Sequence, residues 1–141
     1  MGFYLEIVTP DRFFFSGEVD RVIVRGVEGD LAVLKNRAPL VTPLAIGKIR
    51  ILQDGKERVA ATAGGYINVQ KDKTTIIADS AEWPDEIDVE RAKEAKARAE
   101  RRLKEQAEGL DIIRAENALK RALNRLEVAN LKKYDEEKFD R

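Results

Sequence analysis

The chain has 141 residues, with 26 basic and 26 acidic side chains that cancel to a formal net charge of zero. That length fits one medium domain or a small domain with an appendage, and the balance leaves no global field toward nucleic acid or a membrane surface. Cysteine and histidine are both absent, which excludes disulfides, thiolate chemistry, imidazole metal ligands and every Ser–His or Cys–His constellation.

From residue 3 to residue 80 the pattern has period two, punctuated by turn residues, and predicts short strands. Residues 3–8 are rich in aromatic and β-branched side chains, and Pro10-Asp11 follows as a turn. Residues 12–15 read as a second strand closed by Ser16-Gly17, and residues 18–25 as a third, before a loop over 26–29. Strands are then expected at 31–35, 40–46 (with Pro43 as an edge or bulge signal), 48–53, 57–63, 66–70 and 74–79. Asp54-Gly55 is a hairpin dipeptide, and Gly64-Gly65 reads as a bend in the sheet. About ten short strands at this spacing predict an antiparallel β-sandwich or barrel over residues 1–84.

Trp83-Pro84 closes that region, because a residue preceding proline is pushed away from helical geometry. Asp85 or Asp88 is the expected cap of a helix that runs without Gly or Pro to about residue 106. Ala92, Ala95, Ala99 and Leu103 form a thin apolar stripe along it. Gly109 reads as its stop, and Asp111 as the cap of a second helix reaching about residue 133. Ile112, Ala115, Leu119, Ala122, Leu126 and Ala129 recur at spacings of three and four, a heptad seam. The expected class is therefore α+β, with residues 85–141 forming an antiparallel two-helix hairpin. Alanine-lined seams bury little area, so the closed pair is expected to depend on docking or on a ligand.

The sequence holds no phosphate-binding loop and no G-x-G-x-x-G. It lacks a convergent acid pair, which argues against a sugar-active enzyme with a helical lid. No basic strip is interleaved with aromatics, which argues against a nucleic-acid module. No apolar run approaches the roughly 18 residues needed to span a bilayer, and no signal-peptide pattern opens the chain, so a cytosolic position without membrane insertion is expected. What remains is basic. Arg91 and Arg98 share one helix face, and Arg121 and Arg125 share one on the second helix. Converging guanidiniums can fork onto phosphate oxygens, although the same spacing also describes an ordinary solvated face.

Several collinear stretches carry a resemblance. They are Leu5-Glu6-Ile7-Val8-Thr9-Pro10, Phe15-Ser16-Gly17-Glu18-Val19, Gly29-Asp30-Leu31, Asn36-Arg37-Ala38-Pro39-Leu40, Gly64-Gly65-Tyr66-Ile67-Asn68-Val69, Thr75-Ile76-Ile77-Ala78-Asp79-Ser80-Ala81 and Ile87-Asp88-Val89-Glu90-Arg91-Ala92. In this order and at essentially full length the chain resembles the epsilon subunit of the bacterial rotary ATP synthase. Ala32, where glycine is frequent, and Arg37, where histidine is frequent, depart from the common pattern.

The resemblance implies a non-catalytic subunit with a β-sandwich seated on the gamma subunit and one end against the c-ring, where Asp30 would lie in the ring-facing loop. It also implies a helix pair with two arrangements. In one the pair is packed down and permits ATP hydrolysis. In the other it extends toward the catalytic alpha and beta subunits and blocks it, with Arg121, Arg125, Lys132 and Lys133 as the inhibitory basic face. The location implied is peripheral, on the cytoplasmic face of the bacterial cell membrane. In bacillus-like members I/L-D-x-x-R-A marks a regulatory ATP site between helices and sandwich. Ile87, Asp88, Arg91 and Ala92 match it, and Glu82, Arg98, Arg121 and Arg125 stand where the remaining contacts fall. ATP, with or without Mg2+, is thus the expected regulatory ligand. The alternative is a purely structural coupler in which the same motif is a cap and a salt bridge.

Overall fold

The computed structural model describes residues 2–105 and 109–139, without the side chains of residues 110 and 132–139. The chain divides into two units, Met1–Glu82 and Trp83–Arg141.

The first unit has ten strands: β1 (Phe3–Val8), β2 (Phe13–Val19), β3 (Arg21–Gly26), β4 (Gly29–Val33), β5 (Leu40–Pro43), β6 (Gly47–Gln53), β7 (Lys56–Ala63), β8 (Tyr66–Val69), β9 (Lys73–Ile77) and β10 (Ser80–Glu82). They make two five-stranded sheets, ordered β2-β1-β9-β8-β5 and β10-β7-β6-β3-β4. Alternation turns Leu5, Ile7, Ile67, Val69 and Ile76 of the first sheet inward, with Val22, Val24, Ile49, Ile51 and Ala60 of the second, and all are buried. Thr62 is the polar exception in the second sheet, and its hydroxyl donates to the Gly47 carbonyl at 3.1 Å.

The hairpin dipeptide behaves as its chemistry dictates, with φ of 53° at Asp54 and 78° at Gly55. Elsewhere several boundaries move, three of them where the chain changes sheet. β2 continues through Ser16-Gly17 instead of ending there, since glycine leaves room for the Gln53 amide, which donates to the Glu18 carbonyl at 2.8 Å. The break comes at Asp20, whose N–H donates to Leu52 of the other sheet. The expected 40–46 strand stops at Pro43, because Leu44 and Ala45 donate to Gly65 and Arg25. The expected 74–79 strand ends at Ile77. Ala78 N–H bonds Val8 of the first sheet, Asp79 N–H bonds Ala63 of the second, and β10 follows. Pairing is antiparallel except between β1 and β9, which run parallel.

The second unit opens on a 3-10 turn, Pro84–Glu86. Glu86 fastens it by accepting the Trp83 N–H at 2.9 Å while its own N–H donates to the Trp83 carbonyl at 3.0 Å. Asp88, not Asp85, caps α1 (Val89–Lys104). Gly109 precedes α2 (Leu110–Phe139), and its carbonyl takes the Ile113 N–H. Asp111 therefore sits in the first turn and not at the cap, where its charge still complements the helix N-terminus. α2 runs six residues past the expected end, since no Gly or Pro interrupts residues 133–139. Ala92 and Ala99 of α1 and Ala115 and Ala122 of α2 are buried where the two helices meet, with Ala95, Leu103, Ile112, Leu119, Leu126 and Ala129 half-buried beside them.

Candidate functional site

The start of α1 is built by the run Ile87-Asp88-Val89-Glu90-Arg91-Ala92. Asp88 Oδ1 accepts the backbone N–H of Arg91 at 3.1 Å, satisfying a donor that the helix leaves unpaired. Ile87 and Ala92 are buried, at 7% and 0% exposure. Three of the four motif residues thus have local structural work. The Arg91 guanidinium does not: it is exposed, and among the described residues no hydrogen bond or ion pair engages it.

The helix pair has two unlike flanks. One carries a groove of about 700 Å³ lined by Val89, Lys93, Lys96, Glu100, Leu126 and Asn130, among others. Its lysines are paired within α1, Lys93 with Glu90 at 3.7 Å and Lys96 with Glu100 at 3.8 Å. At roughly 100° per residue, Arg91 and Arg98 fall on the other side of the alanine stripe from that groove, and so do Arg121 and Arg125 on α2. The expected guanidiniums are therefore gathered on one flank. Arg98 and Arg121 are exposed, whereas Arg125 is half-buried and already has an interaction partner within the chain. Glu82 belongs to the other unit, half-buried at the end of β10 and also engaged. Lys132 and Lys133 fall within α2, but their side chains lie outside the described residues. Among the described residues no group of three acidic side chains could hold a metal ion.

Two features of the sandwich were not foreseen from the sequence. Asp30 lies on β4 and not in a loop, because Gly26 pairs with Gly29 and leaves only Val27-Glu28 to turn the chain. There its carboxylate meets Arg25 of β3 at 3.3 Å. The second feature is a row of apolar residues in register across the first sheet: Phe13, Val8, Ile77, Tyr66 and Pro43, one from each strand. Phe13 is 76% exposed, and Ile77 and Tyr66 are about two-fifths exposed. A contiguous apolar band about 19 Å long on a solvent-facing sheet marks a surface for a partner.

Residues 2–84 match the beta-sandwich domain of the ATP synthase delta/epsilon chain, and residues 85–130 match its long alpha-helix domain. The chain belongs to the ATP synthase delta/epsilon family. The epsilon chain of Caldicellulosiruptor bescii is 45% identical over 133 residues, covering 94% of this chain and 97% of the relative. That of Alkaliphilus metalliredigens is 52% identical over 124 residues, covering 88% and 92%. Among solved structures, a chain of the Euglena gracilis mitochondrial ATP synthase, determined as its OSCP/F1/c-ring assembly, matches with a TM-score of 0.78 at 26% identity. That match covers 91% of this chain and 81% of the other. As a delta/epsilon chain the molecule is a central-stalk subunit of the ATP synthase and is not itself catalytic. No helix among the described residues is long and apolar enough to cross a membrane.

Proposed function

We infer that the chain couples the gamma subunit to the c-ring through its sandwich, and that its helix pair restrains ATP hydrolysis until ATP binds and holds the pair closed. The complex would present it on the cytoplasmic face of the membrane. The Phe13–Val8–Ile77–Tyr66–Pro43 band is the surface offered to gamma, and the β3–β4 turn with Arg25 and Asp30 the polar end offered to the ring. When the pair opens, the basic residues of α2 would meet the catalytic alpha and beta subunits.

One observation carries the nucleotide reading. The Arg91 side chain is exposed without a partner among the described residues, while its motif neighbours are accounted for by a cap and by burial. It shares its flank with Arg98, Arg121 and Arg125, a set suited to phosphate oxygens. Mg2+, where it accompanies the nucleotide, would be carried by the phosphates. A ligand that binds only the closed pair stabilises it by about 2.7 kcal/mol at a hundredfold excess over Kd. That is enough to move an equilibrium balanced within a few kcal/mol.

The Asp88 cap favours a second reading, a passive coupler whose motif only starts a helix. Arg91→Ala separates the two. The cap bonds the backbone of Arg91, so the helix start survives while the guanidinium is lost. Calorimetric titration with ATP is expected to show affinity reduced at least tenfold, with helix content unchanged. Equal affinity in the variant, or no binding to the parent chain, leaves the passive coupler.

A further inference from the structure

The guanidinium flank is longer than a nucleotide needs. Arg91, Arg98 and Arg102 stand on α1 at spacings of seven and four, and Arg114, Arg121 and Arg125 repeat those spacings on α2. Spacings of seven and four keep each set on one helical face. Both sets fall on the side of the alanine seam opposite the groove. The groove also sets the antiparallel alignment, with Val89–Glu100 facing Leu126–Asn130. On that alignment Arg98 stands level with Arg125 and Arg102 with Arg121. The result is one exposed guanidinium pair, Arg102 with Arg121, with Arg98 a turn away opposite Arg125, which is half-buried and already engaged within the chain, and with Arg91 and Arg114 beyond.

We propose that this flank is a binding track for a linear phosphate polyanion longer than a triphosphate, that is, inorganic polyphosphate. Every residue of the set is Arg, the side chain that forks onto phosphate, whereas the groove flank carries lysines. Those lysines are paired with glutamates, while Arg91, Arg98, Arg102, Arg114 and Arg121 have exposed guanidiniums without an ion pair among the described residues. Glu94 and Glu105 border the flank on α1, and Glu116 and Glu127 of α2 turn to the other side of its seam. From Arg91 to Arg102 the track is about 16 Å long at the rise of an α-helix. No aromatic residue occurs between Val89 and Leu131. Stacking platforms for bases are therefore missing, and the ligand favoured is phosphate chain and not single-stranded nucleic acid.

The track shares cations with the nucleotide reading but does not require it. The test is calorimetry on the full chain at fixed ionic strength, comparing tripolyphosphate, ATP and a polyphosphate long enough to span the flank. Polyphosphate is expected to bind roughly tenfold tighter than tripolyphosphate, with a steeper loss on adding salt. R102Q combined with R114Q should abolish most of that gain while leaving tripolyphosphate affinity within about twofold. Far-UV circular dichroism of the variant checks that the helices persist. Equal affinity for the long and short phosphates overturns the proposal, and so does equal binding of polyglutamate or oligothymidine of matched charge. ATP failing to bind while polyphosphate binds would sink the nucleotide reading alone. The reverse pattern would sink this one alone.

Discussion

Asp88→Ala tests how much of the helix pair's stability rests on one hydrogen bond. Asp88 Oδ1 accepts the Arg91 N–H at 3.1 Å, and its carboxylate faces the positive end of α1. Loss of such a cap costs about 1 kcal/mol, and loss of the charge at the N-terminus about 0.3–1 kcal/mol more. The sum, about 1.3–2 kcal/mol, approaches what a hundredfold excess of ATP would restore. Apparent ATP affinity should therefore fall even if Asp88 never touches the nucleotide. Asp88→Ser keeps an acceptor at the cap and removes the charge, so it should recover most of the stability. The assay is urea unfolding followed at 222 nm, with ATP titrations on the same three proteins. Were Asp88→Ala to unfold at the same urea concentration as the parent, the cap would be idle and the reasoning wrong. Were Asp88→Ser to keep full stability yet lose ATP, Asp88 would be a ligand contact as well.

Two further outcomes follow from the sandwich. Gly65→Ala should destabilise it by about 3–5 kcal/mol, combining left-handed strain at φ 90° with a methyl driven into the Ile77 carbonyl and within 2.8 Å of Ala78 Cα. Gly55→Ala, at φ 78° with nothing within 4 Å, should cost only the strain, about 1–2 kcal/mol. Equal midpoints for the two variants in guanidinium unfolding would contradict the steric argument. Phe13→Asp should leave folding within about 0.5 kcal/mol, since the ring is 76% exposed, yet release the chain from gamma on co-purification. Retention on gamma would move the docking surface elsewhere.

The sequence conveyed most where local chemistry decides the backbone. Asp54-Gly55 declared its hairpin because few dipeptides tolerate two successive positive φ values. The alanine stripes of both helices were readable because a period of three and four survives whatever packs outside it. What escaped was non-local. β10 is three residues long and exists only because β7 is there to pair with it. Nothing in residues 3–8 or 73–77 announces that they will run parallel. Val128 is fully buried yet lies off the seam, so heptad counting favoured Ala129 beside it. Around the candidate site the spacing of Arg91, Arg98, Arg121 and Arg125 was visible. The groove on the opposite side of the seam from all four, and the Glu86 tie that fastens the turn after Trp83, were not.

The placement of β1 bears on how the chain is made. β1 lies between β2 and β9, so one of its edges is satisfied within a few residues while the other waits for residues 73–77. During synthesis the β1–β2 hairpin would emerge with an open edge, a template for wrong partners, until nearly the whole sandwich has left the ribosome. The β6–β7 hairpin meets β3, already made, along β6, but the other edge of β7 waits for β10 at residues 80–82. Each sheet is therefore completed by the same short segment, β9 slotting beside β1 and β10 beside β7, a late, long-range closure that makes residues 73–82 the step on which yield depends.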